Sequence, residues 1–497
     1  MMRRLNPSSL GPNRASNGEP SPLFASRSPL RNLSVLIESD LLEGLKTSTV
    51  TPDLILAGLL TDPLVSFYRY ADDGPPSDMQ AREYGTWAKA YEGWATVEPP
   101  EPVMGMRQVT YADADTVAST GIVGDIVEFA RDDIRGDVYG ELGPKDAGLR
   151  READALAAQV AASIGADIFI TNREFLHQGH AAYTRDITVV RPSSALPLVS
   201  LYLRAQGRFI TFRSPDGRGT FTLNRGSFYW VAARELLPSA WRWFGACVKE
   251  SGANGDETLI YLGQSVLQRV QRALVARDGV HCLVNRPQNN DIADDILSGL
   301  DNIFVLLMGA LDAAARVAHT VLKLPLSKGK LRNIGWQNSQ WLSLVRGKEP
   351  SLADVVADNS PGQHVVTVLR MLRNSVHGEA LQPLAVQDSG QRTATLLRLP
   401  RTDMAELLAA CDALGGRSTW GVEERIPGRM HADPFVLLEQ LFPRVIDLLE
   451  SLIALTPVER LPHVGSSDLP SGPPNDESGF GPFSENNRKS IRWQLGF

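Results

Sequence analysis

Apolar and polar positions follow two different rhythms along the chain, and the change falls near residue 255. Before it, apolar runs of strand length alternate with helical stretches. The clearest of these elements are Leu33–Ile37, Arg151–Ile164, Ala166–Ile170, Ile187–Val190 and a helix that begins at Ala195. Strands that alternate with helices predict a parallel sheet. We therefore expect an α/β domain over residues 32–255, extended by a hairpin of two short strands at 208–212 and 219–223.

After residue 255 the apolar positions recur with the 3.6-residue period of amphipathic helices. The main stretches are Leu259–Val275, Ile292–Leu322, His364–His377 and Pro434–Leu455. This pattern predicts a mostly α-helical bundle over residues 256–457, with a strand pair on either side of a polar loop at 386–393. Residues 1–31 and 458–497 are poor in apolar residues and rich in Ser and Pro, so we expect two disordered tails.

Composition narrows the class of protein. The chain has 497 residues, 43% of them hydrophobic, and a formal net charge of -7, so any RNA contact needs a local basic patch. Its longest apolar stretch is interrupted by Asp312, Arg316 and His319, which predicts a buried helix and no membrane span. The three cysteines form no CxxC pair and no signal-peptide pattern is visible. These features favour a cytoplasmic protein without disulfides or structural zinc.

The densest chemistry lies at the end of the predicted helix His364–His377. At about 100° per residue, the valines and leucines of this helix form one core-facing stripe, which includes Val376. Arg370, Arg373 and His377 fall together on the flank of that stripe. Two guanidinium groups beside an imidazole can bind a phosphate and move a proton. This face of the helix is therefore the first candidate for a functional site.

The motif Arg373-Asn374-Ser375-Val376-His377-Gly378, at a helix end inside a helical domain, resembles the HEPN ribonuclease family. The pattern of that family places four to six residues between its arginine and its histidine. Six residues separate Arg370 from His377, whereas only three separate Arg373 from His377. The polar neighbour Asn374, on the other hand, favours Arg373. Both arginines therefore stay candidates.

The HEPN resemblance implies an endoribonuclease that needs no metal or other cofactor. RNA supplies its own nucleophile, the 2′-OH, and cleavage would leave a 2′,3′-cyclic phosphate. His377 would transfer the proton, Arg373 or Arg370 would stabilise the phosphorane charge, and Asn374 would hold a phosphate oxygen or orient His377. The resemblance also implies a toxin or defence role, a homodimer through the helical domain and an antitoxin or regulatory partner. A basic last helical turn also has a purely structural explanation, because it complements the helix dipole.

Two segments of the first domain, Val35–Leu42 and Asp154–Asn172, resemble PIN-domain nucleases. PIN enzymes hold divalent metal with clustered carboxylates, and the metal activates water against a phosphodiester. The resemblance therefore implies Mg or Mn at this site. The residues that it assigns are Glu38, Asp40 and Asp154 as metal ligands, Thr171 and Asn172 beside them, and a middle acid that could be Asp125, Glu128 or Glu141.

Other interpretations of these residues stay open. Asp154 and Asp40 are both ordinary residues for the first turn or the cap of a helix. Asp312 and Arg316 have the spacing of an intrahelical ion pair, with His319 on the same face. For the whole chain, the alternatives to a HEPN-type ribonuclease are a metal-dependent PIN nuclease with a dimerising helical domain, or a non-catalytic RNA-sensing or scaffold protein.

Overall fold

A seven-stranded mixed sheet forms the centre of the first half of the chain in the computed structural model. Its strands are β1 (Leu33–Glu38), β2 (Val65–Tyr70), β3 (Glu92–Val97), β4 (Arg107–Ala112), β5 (Val117–Ile122), β6 (Ile168–Ile170) and β7 (Thr188–Val190). They lie in the order β5-β4-β3-β2-β1-β6-β7. The five neighbouring strands β3, β2, β1, β6 and β7 are parallel to one another. At the other edge, β4 pairs antiparallel with β3, and β5 pairs antiparallel with β4. The predicted α/β class is confirmed, and the prediction of a wholly parallel sheet is wrong at this edge.

The structure describes part of the chain. The described residues are 32–48, 51–70, 92–97, 107–112, 117–122, 124–133, 138–178, 181–184, 187–214, 219–325, 333–387, 393–402, 404–465, 469–470, 472–473, 481 and 483–497. The predicted tail 1–31 and the turn of the predicted hairpin at 215–217 lie outside the described residues.

Helices cover both faces of the sheet because successive residues of a strand point to opposite sides. Val35 and Ile37 of β1 belong to one apolar core and Leu36 belongs to the other. The helices of this part are α1 (Ser39–Thr47), α2 (Thr51–Leu60), α3 (Gly124–Asp132), α4 (Pro144–Ser163), α5 (Ala181–Thr184) and α6 (Pro192–Ala205). Because α4 begins at Pro144, well before the predicted start at Arg151, Asp154 lies in the middle of the helix and does not open it.

The second half is mostly helical, as predicted. Its helices are α7 (Arg225–Leu236), α8 (Ala240–Asn254), α9 (Thr258–Val284), α10 (Asn290–Val321), α11 (Ser339–Arg346), α12 (Pro350–Asp354), α13 (Pro361–Asn374), α14 (Met404–Ala413), α15 (Pro434–Leu455) and α16 (Glu485–Gln494). α9 and α10 pack against each other along their length, and α13 lies against α10, α14 and α15. The candidate motif therefore stands at the end of a helix that is surrounded by the bundle.

Two small antiparallel sheets accompany the helices. The predicted hairpin is present as β8 (Ile210–Arg213) and β9 (Thr220–Thr222). The predicted strand pair around residues 386–393 is present as β10 (Gln382–Gln387) and β11 (Thr393–Arg398). It is extended by β12 (Val422–Ile426) and β13 (Arg429–Ala432), in the order β10-β11-β13-β12. Since β10 begins shortly after α13 ends, this sheet lies beside the candidate motif.

Among the described residues, α10 is the single helix that is long and apolar enough to cross a membrane. Half of its most apolar stretch is buried inside the protein, and its buried residues from Ile296 to Val321 belong to the main core. The prediction of a buried helix agrees with this packing.

One apolar core runs through both halves of the chain and crosses the predicted boundary at residues 255 and 256. A buried ion pair also crosses it, because Arg204 Nε of α6 donates to Asp278 Oδ2 of α9 at 2.7 Å. Tyr229 Oη of α7 donates to the same carboxylate oxygen at 2.6 Å. The sheet and the bundle are thus joined by packed helices and buried charges, where the sequence suggested a boundary between domains.

The last helix, α16, lies inside the segment 458–497 for which the sequence predicts disorder. Ile491 and Leu495 are fully buried there, and α16 packs against α6, α7 and β8. Two buried arginines hold its end, since Arg204 Nη1 donates to the carbonyl oxygen of Gln494 at 3.1 Å and Arg277 Nη1 to that of Leu495 at 2.9 Å. The prediction of disorder is therefore wrong for residues 485–497.

Candidate active site

The helix that carries the motif is shorter at its C-terminus than predicted. α13 begins at an N-cap, Ser360, whose side chain accepts a hydrogen bond from the backbone N–H of Gln363, and it ends at Asn374. Val365, Val368, Leu369 and Leu372 are buried, as the apolar stripe predicts. Val376 is 37% exposed, because the chain has left the helix by that point. Its assignment to the core-facing stripe was wrong.

His377 lies in the turn that follows α13. Its backbone N–H donates to the carbonyl oxygen of Asn374 at 3.1 Å, and the N–H of Gly378 donates to the same oxygen at 2.9 Å. Asn374 and His377 are exposed, and the imidazole makes no hydrogen bond within the described part of the chain. The end of α13 thus presents the carboxamide of Asn374, directly after Arg373, and the imidazole of His377, about one turn further on, to solvent.

Arg373 lies half-buried on the side of α13 that faces α10. Its guanidinium acts on the half-buried carboxylate of Asp312, together with Arg316 of α10 and Arg269 of α9. Burial raises the pKa of Asp312, and the three nearby cations oppose that shift. Arg269, Arg316 and Arg373 thus act electrostatically on one carboxylate, and we call these three arginines with Asp312 the arginine cluster.

Arg269 is held in this cluster by the close approach of α9 to α10. Its Nη1 donates to the carbonyl oxygen of Gly309 at 2.9 Å. A Cβ atom at position 309 would stand 2.9 Å from Arg269 Nε, so the glycine makes room for the guanidinium. Sequence reasoning missed Arg269, because the motif gives no signal for a residue that lies about a hundred positions earlier on another helix.

The structure distinguishes the two candidate arginines. Arg370 forms an ion pair with Glu406 of α14. Arg373 makes no hydrogen bond or close ion pair to any residue that the structure describes. A phosphate would therefore compete with Glu406 for Arg370, whereas the guanidinium of Arg373 has donors to spare. Geometry favours Arg373, although the HEPN spacing favours Arg370.

Neighbouring contacts fix the segment that carries His377. The carboxylate of Glu379 accepts a hydrogen bond from the backbone N–H of Arg401 at 2.7 Å, which ties the turn to the segment that precedes α14. His319, predicted to share the face of Asp312 and Arg316, accepts from Trp341 Nε1 through Nδ1 at 3.4 Å. Burial lowers the pKa of His319. This histidine therefore belongs to the packing around the tryptophan.

The second candidate site lies at the carboxyl ends of β1 and β6. Glu38 ends β1, and its Oε2 accepts from Thr171 Oγ1 at 2.8 Å and from the backbone N–H of Asn172 at 3.4 Å. Its Oε1 accepts from Arg173 Nε at 2.6 Å. The structure thus brings Glu38, Thr171 and Asn172 together, as the PIN resemblance implies, and adds Arg173.

Asp154 is fully buried beside this group. Its Oδ1 accepts from Arg173 Nη1 at 3.1 Å, and its Oδ2 accepts a hydrogen bond from Tyr139 Oη. Burial raises the pKa of Asp154 against the opposing effects of Tyr139 and Arg173, and burial with the bond to Asp154 raises the pKa of Tyr139 to about 12. One guanidinium therefore bridges two of the three carboxylates that were predicted to bind metal.

The remaining predicted acids do not complete a metal site. Asp40 is exposed in the first turn of α1, and Glu38 occupies the N-cap position of that helix. Glu128 and Glu141 are exposed, and of Asp125 only its place in α3 is described. No group of three or more His, Cys, Asp or Glu side chains placed to hold a metal ion is found in the described ranges. The residues present at the sheet edge do not fit a divalent ion, because Arg173 lies between them.

Comparisons of the chain with models of known protein families, with curated proteins and with solved structures find no match. The HEPN and PIN resemblances therefore rest on the short motifs alone.

Proposed function

We propose that the chain is a metal-independent endoribonuclease of a toxin or defence type, acting in the cytoplasm at the end of α13. One observation carries the proposal: an exposed His377 follows Arg373 by one turn, and Arg373 stands at the edge of a cluster of arginines. An imidazole open to solvent beside a surplus of guanidinium groups is the combination that cleavage through the 2′-OH needs.

The proposed reaction uses the substrate's own hydroxyl. The 2′-oxygen of RNA attacks the adjacent phosphorus as its proton leaves, and the bond from phosphorus to the 5′-oxygen breaks when that oxygen takes up a proton. His377 transfers one of these protons. Arg373, with Arg316 and Arg269 behind it, binds the phosphate oxygens on which negative charge grows. Asn374 is exposed at the same turn and donates to a phosphate oxygen or orients the imidazole.

A second copy of the chain would complete the proposed site. Two proton transfers occur in the reaction, and one His377 is present per chain. A homodimer through the helical domain would supply one imidazole as base and the other as acid, which is the arrangement that the HEPN resemblance implies. The sheet half is in this proposal an accessory PIN-like domain, which packs against the bundle through the shared core. An antitoxin or other regulatory partner would control the activity.

Cleavage assays with the full chain test the proposal. Labelled single-stranded RNA is incubated with the protein in EDTA, in Mg²⁺ and in Mn²⁺, and the ends of the products are analysed. We expect equal cleavage in all three conditions and a 2′,3′-cyclic phosphate on the products. RNA that carries 2′-O-methyl groups should resist, because its nucleophile is blocked. His377→Ala should lower the rate by about a hundredfold or more, the usual contribution of a general acid–base group.

The matched control is His364→Ala, which removes a histidine from the first turns of the same helix. It should leave the rate unchanged, while Arg373→Ala should lower the rate more than Arg370→Ala does. Full activity of the His377→Ala variant would contradict the proposal. Activity lost in EDTA and restored by Mg²⁺ would point instead to a metal-dependent nuclease, and a chain that binds RNA without cutting any would be a scaffold.

A further inference from the structure

The sheet edge beside Glu38 is the place where an α/β sheet usually binds a ligand. β1 lies in the middle of the five parallel strands, between β2 and β6. The chain continues from β1 to β2 on one side and from β6 to β7 on the other, so the connections after β1 and β6 lead in opposite directions. At such a switch point the loops that follow the two central strands separate and leave a crevice at their carboxyl ends. Glu38 ends β1, and Thr171 directly follows β6. The charged groups at this position therefore decide what the sheet can bind.

A guanidinium fills the space between the carboxylates. Arg173 Nε is 2.6 Å from Glu38 Oε1, and Arg173 Nη1 is 3.1 Å from Asp154 Oδ1. Its side chain is only 5% exposed. Its backbone N–H donates to Thr171 Oγ1 at 3.0 Å, and its Cζ atom lies 5.6 Å from the ring centre of Tyr70. The planar fork is thus held from several sides with its donors directed at two different acids.

Each of the four carboxylate oxygens accepts a hydrogen bond from the protein. In Glu38, Oε1 accepts a hydrogen bond from Arg173, and Oε2 accepts hydrogen bonds from Thr171 and Asn172. In Asp154, Oδ1 accepts a hydrogen bond from Arg173, and Oδ2 accepts one from Tyr139. A divalent ion needs these oxygens as direct ligands, at about 2.0–2.6 Å. It could reach them only after the guanidinium had moved away.

We propose that Arg173 is a built-in cation, which takes the place of a divalent metal ion between Glu38 and Asp154 and keeps Mg²⁺ and Mn²⁺ out of the sheet edge. The carboxylates then serve to fix the ends of β1 and β6 relative to the middle of α4. Removal of the guanidinium leaves two acids facing an open space, which is the start of a metal site. This inference is independent of the ribonuclease proposal, since it concerns a different half of the chain.

Binding of Mn²⁺ to the full chain tests the inference. The electron paramagnetic resonance signal of free Mn²⁺ falls when the ion binds, and the unfolding temperature with and without Mn²⁺ gives a second readout. The wild-type chain should show no binding at this site. Arg173→Ala should bind one ion about tenfold or more tightly than any weak surface site, since affinity for a divalent ion depends on the charge of its ligands. The ion should also raise the unfolding temperature of that variant.

Two control variants locate the gained site. Arg191→Ala removes an arginine from a comparable but exposed ion pair, Arg191 with Glu174 at 2.7 Å, and should gain no binding. The double variant Arg173→Ala with Asp154→Asn should lose the gained site.

Two results would overturn the inference. One is Mn²⁺ binding by the wild-type chain that Glu38→Gln abolishes, because the guanidinium would then not exclude the metal. The other is a folded Arg173→Ala variant that binds no ion. If the alanine variant does not fold, Arg173→Gln, which fills most of the volume without the charge, takes its place in the same measurements. The Mn²⁺ titration of the wild-type chain tests the inference even if neither variant folds.

Discussion

The two charged regions of this molecule use arginine in opposite ways. At the sheet edge, the side chain of Arg173 is 5% exposed, and its N–H groups donate hydrogen bonds to Glu38 and Asp154. At the end of α13, Arg373 is half-buried, and His377 beyond it is exposed. The first group is closed by its own partners, whereas the second is open to a ligand. Buried charge requires a full set of partners, and exposed charge does not.

This difference suggests where chemistry can occur. Two carboxylates with a guanidinium held between them leave no space there for a metal ion, however well their positions agree with a catalytic pattern. An imidazole without an intramolecular partner can exchange protons with a substrate. Agreement with a motif is thus less informative than the partners that each side chain already has. On that basis the bundle is the half that we expect to react.

The largest expected effect is a difference in the free energy of unfolding between variants of Arg173 and Arg373. Arg173→Ala should lower the free energy of unfolding by about 3–5 kcal/mol, because it removes the buried cation of the fully buried Asp154 and the ion pair of the partly buried Glu38. The exposed Arg150, 3.8 Å from Asp154 Oδ1, stays in place in this variant. Arg373→Ala should change it by less than about 0.5 kcal/mol, since no close pair is broken. Urea unfolding followed by circular dichroism measures both. Equal losses for the two variants would show that the sheet edge is not the closed structural group described above.

Much of the fold follows from the pattern of apolar positions. Strand β1, the hairpin of β8 and β9, and helix α15 from Pro434 to Leu455 all lie where the sequence predicts them. The antiparallel direction of the edge strands β4 and β5 was not predicted. It depends on which strands pair with each other, and the local pattern of apolar residues does not show that pairing. The helix α16 was missed for a similar reason. It is very polar overall, and its order depends on Ile491 and Leu495 entering a groove made by distant residues.

The candidate sites were predictable to a different degree. The helical period placed Arg370, Arg373 and His377 on one side, but it could not show that Glu406 takes up Arg370 or that Arg269 joins the cluster. At the sheet edge the PIN resemblance picked out Glu38 and Asp154 as metal ligands, and it gave no indication that Arg173 pairs with both of them. The residue that decides the role, Arg173, directly follows Thr171 and Asn172, and a positive charge at that strand end is the signal that was available.

A second prediction compares a closed histidine with the open one. His281 of α9 is fully buried, its ring centre lies 4.9 Å from that of Phe435, and burial together with Arg277 lowers its pKa well below the usual value. The folded state therefore keeps His281 neutral, while the unfolded chain takes up a proton below about pH 6.5. Stability from this group is present above that pH and is lost as the pH falls, at up to about 1.4 kcal/mol per pH unit.

His281→Leu should accordingly flatten the fall in stability between about pH 7 and pH 5. His377→Leu removes a histidine from an exposed turn and serves as the matched control for the substitution. Urea midpoints at several pH values give both slopes. An unchanged slope in the His281 variant would mean that the buried imidazole is not the group that titrates.

The smallest expected effect concerns the pair Arg370 and Glu406, which stands between the closed and the open extremes. The side chains are 33% and 50% exposed, and exposed ion pairs contribute about 0.2–1 kcal/mol to stability. A double-mutant cycle with Arg370→Ala and Glu406→Ala measures that coupling. If it is this small, a phosphate can displace Glu406 at little cost, and Glu406→Ala should then strengthen RNA binding by freeing Arg370. A coupling of several kcal/mol, with RNA binding unchanged in Glu406→Ala, would instead place Arg370 with Arg173 as a structural arginine and leave Arg373 alone beside His377.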